Sequence, residues 1–313
     1  MENLFRAWRE FKRGKTKKTD VAQFDFNLED NIFKLHDDLA RGVYAPRAYE
    51  SFFVKDPKLR HIHKAHIRDR VLHQALFRVL YPIFDKHFIF DSYSSRVEKG
   101  THAGVNRLES FLRKETNNWT QQVWCLKCDV RKFFDSVDHK ILFNLISQKI
   151  TDERTLKLIE MIIKSFEKSP CKGLPLGNVT SQLFSNIYLN EFDQFAKHEL
   201  KTKYYARYCD DFVIVNQNRE MFESFIPKIR QFLSEKLSLE LHPNKIVLRK
   251  ARQGIDFLGY VVLPHRKVLR TKTKRRMFKR ISKDTKPEII ASYLGMLSHG
   301  KNERLAKQIN LLC

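Results

Sequence analysis

Two adjacent carboxylates lie in Tyr208-Cys209-Asp210-Asp211-Phe212, between aromatic residues and the apolar run Phe-Val-Ile-Val. The flanking residues predict two β-strands around a tight turn, which places both acids at the tip of a hairpin. Acids this close repel each other unless a cation neutralises them, and oxygen-only ligands suit Mg²⁺. An ordinary Asp-rich turn is the alternative. The segment therefore predicts either a magnesium site or a turn.

A second acid, Asp129, lies near the end of a buried strand predicted over residues 123–130. Strand alternation puts Asp129 on the same face as Lys127. Asp129 is compatible with a simple helix cap, because Arg-Lys-Phe-Phe follows it. On a strand beside the Asp-Asp hairpin, it would instead complete a carboxylate cluster. Such a cluster can hold two metals about 3.5–4 Å apart for in-line phosphoryl transfer.

The charge balance indicates a polyanionic partner. The 313 residues carry 59 Lys+Arg against 36 Asp+Glu, a formal net charge of +23, and the pI is about 9.8. Nucleic acid is the first candidate and an anionic membrane surface the second. Seven of the thirteen residues in 6–18 and nine of the fifteen in 266–280 are Lys or Arg. Two such runs favour phosphate contacts at both ends of a nucleic-acid cleft over a merely solvated surface.

The five cysteines do not form a disulfide pattern. Cys125 and Cys128 are spaced like half a zinc site, but no second pair follows, and a strand would point them to opposite faces. No apolar run is long enough to span a membrane, and the N-terminus lacks the apolar stretch of a signal peptide. We therefore expect a cytoplasmic protein without a membrane partner.

Hydrophobic periodicity predicts a mixed fold. The predicted helices cover residues 27–41, 70–81 (with Pro82 following), 141–150, 156–166, 181–195 and 221–237, and the tail becomes helical after Thr273. Extended segments cover 49–67, with a turn at Asp56-Pro57, and 123–130, 204–215 and 255–263. These elements show no regular βαβ rhythm, so we expect an α+β fold with an antiparallel central sheet.

The segment from Cys128-Asp129 through Phe134 to His139, followed by Tyr208–Asp211, resembles two palm motifs of bacterial reverse transcriptases in the same order. Three further segments resemble motifs of that family. They are Arg60 with Ile67-Arg68-Asp69-Arg70-Val71 (fingers), Leu241-His-Pro-Asn-Lys245 (the motif whose Lys protonates pyrophosphate) and Phe257-Leu258-Gly259-Tyr260 (primer grip). The resemblance extends from about Leu4 to Leu312.

The resemblance implies a right-hand polymerase fold. Residues 1–118 would form the N-terminal region and fingers, 119–262 the palm with a helical insert at about 151–199, and 263–313 a short, basic, helical thumb. The implied substrates and partners are template RNA, a primer, the growing cDNA and deoxynucleoside triphosphates. The implied cofactor is a pair of Mg²⁺ ions, for which Mn²⁺ can substitute.

The resemblance also assigns roles to individual residues. The implied catalytic residues are Asp129, Asp210 and Asp211, and the implied metal ligands are Asp129, the Val130 carbonyl and Asp210. Nucleotide contacts would come from Arg60, Arg68, Phe134, Leu176, Gly177, Gln182 and Lys245, and the primer grip from Phe257, Leu258 and Gly259. The bulky Phe134 would exclude ribonucleotides, whereas the adjacent Phe133 would pack in the core.

Gly173-Leu-Pro-Leu176-Gly177-Asn-Val-Thr-Ser-Gln182 indicates a subfamily. Most reverse transcriptases have Gln-Gly-x-x-x-Ser-Pro here, and Leu176 with Gln182 resembles the enzymes of diversity-generating retroelements. Those bacterial and phage systems copy a template RNA with errors at adenines and use a small basic oligomeric accessory protein. Leu cannot make the hydrogen bond of Gln, a loss of about 1 kcal/mol or up to roughly tenfold in selectivity. Neutral drift is the alternative.

Three other functions stay open. A defence-associated or retron-like reverse transcriptase shares the motifs. A group II intron maturase fits less well, because the usual Gln-Gly and Ser-Pro are absent, and the roughly fifty residues after Gly259 would form a small thumb without an RNase H or endonuclease domain. A non-catalytic nucleic-acid-binding protein would not need Asp129, Asp210 and Asp211.

Overall fold

The computed structural model describes residues 1–55, 58–282, 286–300 and 302–310. The turn predicted at Asp56-Pro57 and the fifth cysteine, Cys313, lie outside these residues. The helices are α1 (Glu2–Phe11), α2 (Thr19–Phe26), α3 (Leu28–Ala40), α4 (Ile67–Asp85), α5 (Thr101–Glu115), α6 (Phe133–Ser136), α7 (His139–Ser147), α8 (Glu153–Lys164), α9 (Val179–Gln194), α10 (Glu220–Leu237), α11 (Thr271–Ile281), α12 (Pro287–Ser298) and α13 (Glu303–Asn310). The strands are β1 (Glu50–Lys55), β2 (Leu59–Lys64), β3 (Trp124–Asp129), β4 (Tyr204–Tyr208), β5 (Asp211–Asn216), β6 (Val247–Lys250), β7 (Ile255–Phe257), β8 (Tyr260–Leu263) and β9 (Arg266–Leu269).

The chain divides into two compact units. The first unit contains Met1–Ile89, Arg131–Asp193 and Phe232–Glu240, and the second contains Phe90–Val130, Gln194–Gln231 and the residues from Leu241 onward. No helix in the described part of the chain is long and apolar enough to cross a membrane.

Four helices build one core of the first unit. Trp8 of α1, Ile32 and Leu35 of α3 and Val71 of α4 are almost fully buried in one cluster. The predicted helix over 27–41 is confirmed as α3, and Gly42 follows it with φ +69°, a conformation that favours glycine. The antiparallel hairpin of β1 and β2 also belongs to this unit.

Helix α4 differs from its prediction, because it continues through Pro82 to Asp85. Proline removes one backbone hydrogen bond, which usually ends a helix. Here Pro82 is exposed, so water can reach the carbonyl that loses its donor. Leu80 and Phe84, buried four residues apart, anchor the same helix face on both sides of the proline. Packing therefore outweighs the local signal.

The second unit holds a four-stranded antiparallel sheet in the order β4-β5-β3-β6. The predicted antiparallel sheet is confirmed, and it includes β6, which the sequence analysis did not predict. Cys125 and Cys128 lie on opposite faces of β3 as expected, and burial raises the pKa of each thiol to about 12. Within residues 1–55, 58–282, 286–300 and 302–310, no grouping suits a zinc ion.

A second sheet of the same unit, β7-β8-β9, packs with the C-terminal helices. Phe257, Val262 and Leu269 of this sheet share a core with Met277 and Ile281 of α11. The basic run of residues 266–280 thus divides into a strand and a helix. Only its apolar residues are buried, and Lys272, Arg275, Lys279 and Arg280 of α11 stay exposed.

Candidate active site

The Asp-Asp segment forms the tip of a hairpin, as predicted. Strands β4 and β5 pair with Tyr208 opposite Asp211, so that Cys209 and Asp210 form a two-residue loop. Cys209 has φ +54°, and a positive φ at the first loop position is what a tight hairpin turn requires.

Asp129 lies directly opposite Asp211 in the pairing of β3 with β5. Directly opposed residues point to the same face of a sheet, so the structure brings these two carboxylates together. The amide of Val130 donates to the Asp210 carbonyl at 3.1 Å, which joins the end of β3 to the loop. The three predicted carboxylates therefore converge at one end of the sheet.

Two lysines neutralise part of this negative charge. Lys245 Nζ donates to Asp129 Oδ1 at 2.6 Å, and Lys127 Nζ lies 3.3 Å from Asp211 Oδ2. Lys245 is held in a short 3₁₀ turn, where the ring of His242 caps the Asn244 amide and the His242 amide donates to the Asp129 carbonyl at 2.8 Å. The structure thus places Lys245 beside a carboxylate that was predicted to bind metal.

The acids at the hairpin tip are short of positive charge. Burial raises the pKa of Asp210, and the charge of Asp129 raises it further. Burial also raises the pKa of Asp211 to about 6, although Lys127 acts in the opposite direction. Asp211 Oδ1 is buried without a hydrogen-bond partner among the described residues. Each observation indicates that a further cation would stabilise the ionised cluster.

The carboxylates fit a divalent cation chemically. No three His, Cys, Asp or Glu side chains in the described ranges are already arranged as a metal site. Two of the carboxylates are paired with lysines instead, Asp129 with Lys245 and Asp211 with Lys127. The carboxylates of Asp129, Asp210 and Asp211 offer oxygen donors, which is the ligand type that Mg²⁺ prefers.

We expect Asp211→Asn to stabilise the metal-free protein. The pKa of Asp211 is raised from 3.8 to about 6, so ionisation is less favourable in the folded chain than in the unfolded chain. This destabilisation is complete above the folded pKa and disappears below the unfolded pKa. Thermal unfolding in EDTA should show a higher Tm for the variant at about pH 7.5 and a smaller gain as the pH approaches about 4.5.

The control for this prediction is Asp152→Asn, at the N-cap of α8. Asp152 has a lowered pKa because its carboxylate accepts a hydrogen bond from Thr155. Asn also caps helices well, so this variant removes a charge without relieving any repulsion. Its Tm should not rise. If Asp211→Asn melted below the wild type at about pH 7.5, the carboxylate would be better satisfied than its burial indicates.

Leu176 and Gly177, two predicted nucleotide-binding residues, lie against the hairpin of the first unit. The Leu176 carbonyl accepts from the His63 amide of β2 at 3.0 Å. Gly177 has φ +113°, a conformation that other residues rarely adopt, and a Cβ there would also meet Ile62 at a tight 3.0 Å. The side chain of Asn178 bridges the His63 carbonyl and the Ala65 amide at 3.0 and 3.3 Å. This segment is therefore fixed to β2, and Gln182 is exposed on α9.

The side chains of Arg60 and Arg68 differ in whether they are free to contact a nucleotide. Arg60 lies on β2 and is exposed. Arg68 donates to Asp38 at 3.2 Å and to the Ala45 carbonyl at 2.6 Å, and its side chain is 13% exposed. Arg68 would have to exchange these partners before it could contact a nucleotide.

Phe133 and Phe134 follow Lys132, whose φ of +44° turns the chain after β3. Phe133 is 1% exposed, which confirms its predicted place in the core. Phe134 is half-buried, and its ring meets that of Phe133 edge-on at 5.3 Å. The Phe134 carbonyl accepts from the Leu174 amide at 2.7 Å, so its backbone is fixed.

The predicted primer-grip residues form the turn between β7 and β8. Phe257 pairs with Tyr260 across a two-residue loop, in which Leu258 and Gly259 have φ +51° and +89°. Two positive φ values are typical of a type I′ hairpin turn. Phe257 is fully buried, and the Gly259 carbonyl accepts from the Arg270 amide at 2.9 Å. The turn is thus anchored on both sides.

Two residues of the site have roles that only the structure shows. Lys127 was placed beside Asp129, but its ion pair with Asp211 depends on the strand register. Arg207 is 1% exposed and donates to the Cys209 carbonyl at 3.1 Å. An arginine inside an apolar strand segment was the available signal, because buried arginines need partners.

Comparison with known families identifies the family of this chain. The family described as reverse transcriptase (RNA-dependent DNA polymerase) matches residues 54–262, which include both acidic segments. The chain belongs to the reverse transcriptase family. The predicted enzyme class, an RNA-directed DNA polymerase, is confirmed at the level of that family.

The curated relatives include two bacterial proteins, one of them encoded by a group II intron. Protein YkfC of Escherichia coli is 27% identical over 272 residues, an alignment of 74% of this chain and 71% of that protein. The group II intron-encoded protein LtrA of Lactococcus lactis is 22% identical over 305 residues, with 74% of this chain and 49% of that protein aligned. This reverse transcriptase therefore spans about half the length of LtrA.

Solved telomerase structures show the same fold. Apo telomerase from Candida tropicalis matches with a TM-score of 0.51 and 12% identity over 71% of this chain and 55% of that chain. Telomerase from Candida albicans matches with the same TM-score and identity over 70% and 46%. These likenesses concern the fold alone, and they confirm the predicted α+β, right-hand polymerase fold.

Proposed function

We propose that this reverse transcriptase makes cDNA from an RNA template by metal-dependent nucleotidyl transfer, in a bacterial or phage-infected cytoplasm. The observation that carries the proposal is the convergence of Asp129, Asp210 and Asp211 at one end of an antiparallel sheet. Template RNA, primer, cDNA and deoxynucleoside triphosphates are the substrates and products. The net charge of +23 and the exposed basic side of α11 suit partners rich in phosphate.

Asp129 and Asp210 would hold Mg²⁺ with the Val130 carbonyl, and Asp211 would add negative charge beside them. Two bound Mg²⁺ ions, or Mn²⁺ in their place, supply activation of the primer hydroxyl and stabilisation of the leaving pyrophosphate. Lys245 is placed beside Asp129 at 2.6 Å, and its ammonium group can donate a proton to a departing phosphate oxygen. Its release from Asp129 on metal binding would free it for that role.

The nucleotide and primer contacts are proposed from the family resemblance together with local geometry. Arg60 is exposed on β2, and the segment of Leu176 and Gly177 is fixed to the same strand. The anchored turn at Leu258 and Gly259 would hold the primer. We also propose that Arg68, Phe134 and Gln182 contact the incoming nucleotide. Phe134 would exclude the ribose 2′-hydroxyl.

For the subtype, we propose the enzyme of a diversity-generating retroelement. The residues Leu176 and Gln182, which replace the usual Gln and Pro, support this subtype. The Leu176 backbone is held by the His63 amide, and the Leu176 side chain cannot hydrogen-bond a nucleotide. Such an enzyme would work with a small basic oligomeric accessory protein. A retron-like or defence-associated enzyme shares the same motifs and stays an alternative.

The subtype predicts an error pattern in the cDNA. Products of primer extension should carry misincorporations concentrated at template adenines, and Leu176→Gln should reduce that excess by a few-fold to about tenfold. Deep sequencing of the cDNA measures both. Val179→Ala is the control, because this position lies in the same segment but outside the substituted pattern. Errors spread evenly over the four template bases would contradict the diversifying subtype and leave the polymerase assignment intact.

An intron-type function is the second candidate, favoured by the similarity to LtrA over 74% of this chain. It predicts tight, selective binding of one structured intron RNA and uniform fidelity. Filter binding with a group II intron RNA and a size-matched unrelated RNA separates it from the first proposal. Preferential binding combined with an even error spectrum would favour the intron type.

A further inference from the structure

The loop that carries Asp210 has a conformation that its own residues do not favour. Cys209 adopts φ +54° without being glycine, and such a residue persists only where its surroundings hold it. The Asp210 carbonyl is held by the Val130 amide at 3.1 Å, which leaves the peptide on the other side of Asp210 to set the direction of its carboxylate. The position of this carboxylate therefore depends on the peptide that joins Cys209 to Asp210.

Arg207 holds that peptide from the opposite side. Its guanidinium is almost fully enclosed, with 1% of the residue exposed. Nη1 donates to the Cys209 carbonyl at 3.1 Å and Nη2 donates to Ser92 Oγ at 3.1 Å. The Arg207 amide donates to the Asp91 carbonyl, and the Arg207 carbonyl accepts from the Tyr93 amide, both at 2.9 Å. Both the backbone and the side chain of Arg207 are therefore fixed.

The geometry of a trans peptide transmits this constraint. The C=O and N–H groups of one peptide lie in one plane and point in opposite directions. A guanidinium that fixes the Cys209 oxygen therefore also fixes the direction of the Asp210 N–H on the other side of that peptide, and with it the start of the Asp210 residue. The positive charge also polarises this peptide, which strengthens its N–H as a donor.

We propose that Arg207 is a positioning residue for Asp210. It orients the Cys209–Asp210 peptide and so presents the carboxylate in the direction needed to bind a divalent cation. Arg207 itself touches neither metal nor nucleotide, because it is buried. The inference rests on the proposed metal-binding role of Asp210, and it goes beyond that role by naming the residue that sets its geometry.

Lysine cannot replace Arg207 in this role. The two contacts diverge from one planar group, and a lysine ammonium presents a single point of charge. Arg207→Lys keeps the positive charge but loses the diverging N–H donors of the guanidinium. Arg207→Met loses both the charge and the donors. Ser92→Ala removes one partner of Nη2 and keeps the arginine itself. The control is Arg107→Lys, because Arg107 binds Asp91 at 2.7 Å in the same unit and no contact described for it involves the loop.

The test measures Mn²⁺ binding to the protein without nucleic acid, by electron paramagnetic resonance, and then primer extension with Mg²⁺. We expect the Kd for Mn²⁺ to rise about tenfold in Arg207→Lys and by more in Arg207→Met, as expected when a hydrogen bond to a charged group is lost. Ser92→Ala should show a smaller rise in the same direction. The kcat should fall with the KM for the template–primer unchanged, and excess Mn²⁺ should restore part of the kcat of Arg207→Lys.

Circular dichroism and thermal unfolding identify the folded variants, and Ser92→Ala carries the test if the arginine variants do not fold. Folded Arg207→Lys and Ser92→Ala proteins with wild-type Mn²⁺ affinity and wild-type kcat would overturn the proposal. An equal loss of Mn²⁺ affinity in Arg107→Lys would also overturn it, because the effect would then belong to the segment around Asp91. The proposed function fails differently, through a wild-type protein that extends no primer and binds Mn²⁺ no better than Asp210→Asn.

Discussion

Asp210→Asn should reduce nucleotide incorporation by at least about 10³-fold while the protein stays folded. Asn has nearly the shape of Asp but carries no charge, so a divalent cation loses an anionic ligand. The fold should tolerate the change, because burial and the charge of Asp129 already raise the pKa of Asp210 and so disfavour its ionised form. Single-nucleotide primer extension on an RNA template, with Mg²⁺ and with Mn²⁺, measures the loss.

Asp256→Asn is the matched control for this prediction. Asp256 lies on β7 in the same unit, and its ion pair is with Arg270, not with Lys127 or Lys245, which pair with the site carboxylates. Its variant should extend primers within about twofold of the wild type, because a partly exposed ion pair contributes little. If Asp210→Asn kept activity within about tenfold of the wild type, the loop would not supply the metal ligand, and Asp211 would become the candidate.

The sequence predicts the two strand ends that meet at this site because alternation and turn chemistry are local. Tyr208 to Phe212 specify a hairpin, and the apolar run before Asp129 specifies a buried strand. What joins them is the register that sets Asp129 opposite Asp211, and register depends on long-range pairing that no local pattern encodes. The convergence of the carboxylates was therefore a hypothesis until the pairing was known.

The same reasoning explains what the sequence analysis did not find. Strand β6 is only four residues long, too short for a clear alternation pattern, and it forms along the edge of β3. In the sequence, Arg207 is a single polar residue within a predicted strand. Its role is visible only in the folded chain, where its guanidinium donates to the Cys209 carbonyl and to Ser92. Helix α4 continues past Pro82 because of buried neighbours on both sides. In each case a non-local contact outweighs the local preference.

Phe134→Val should let the enzyme accept ribonucleotides. The structure separates the two adjacent phenylalanines, with Phe133 enclosed in the core and Phe134 left half-buried beside it. A ring with an exposed side can limit the space beside a sugar, whereas a ring inside the core cannot. Shortening Phe134 opens that space, and the discrimination between dNTPs and rNTPs should fall by about 10²-fold, mostly through kcat/KM for the rNTP.

The control is Phe133→Leu, which should lower stability because Phe133 packs on Tyr188 at 6.4 Å between ring centroids. Its discrimination should stay near that of the wild type, because the change lies behind the proposed nucleotide surface. The measurement is kcat/KM for dCTP and CTP opposite the same template guanine. If Phe134→Val lost stability and kept full discrimination, Phe134 would be a packing residue, and the limit on the sugar would come from another side chain. The two phenylalanines thus give opposite expectations for stability and selectivity, and a single pair of variants separates them.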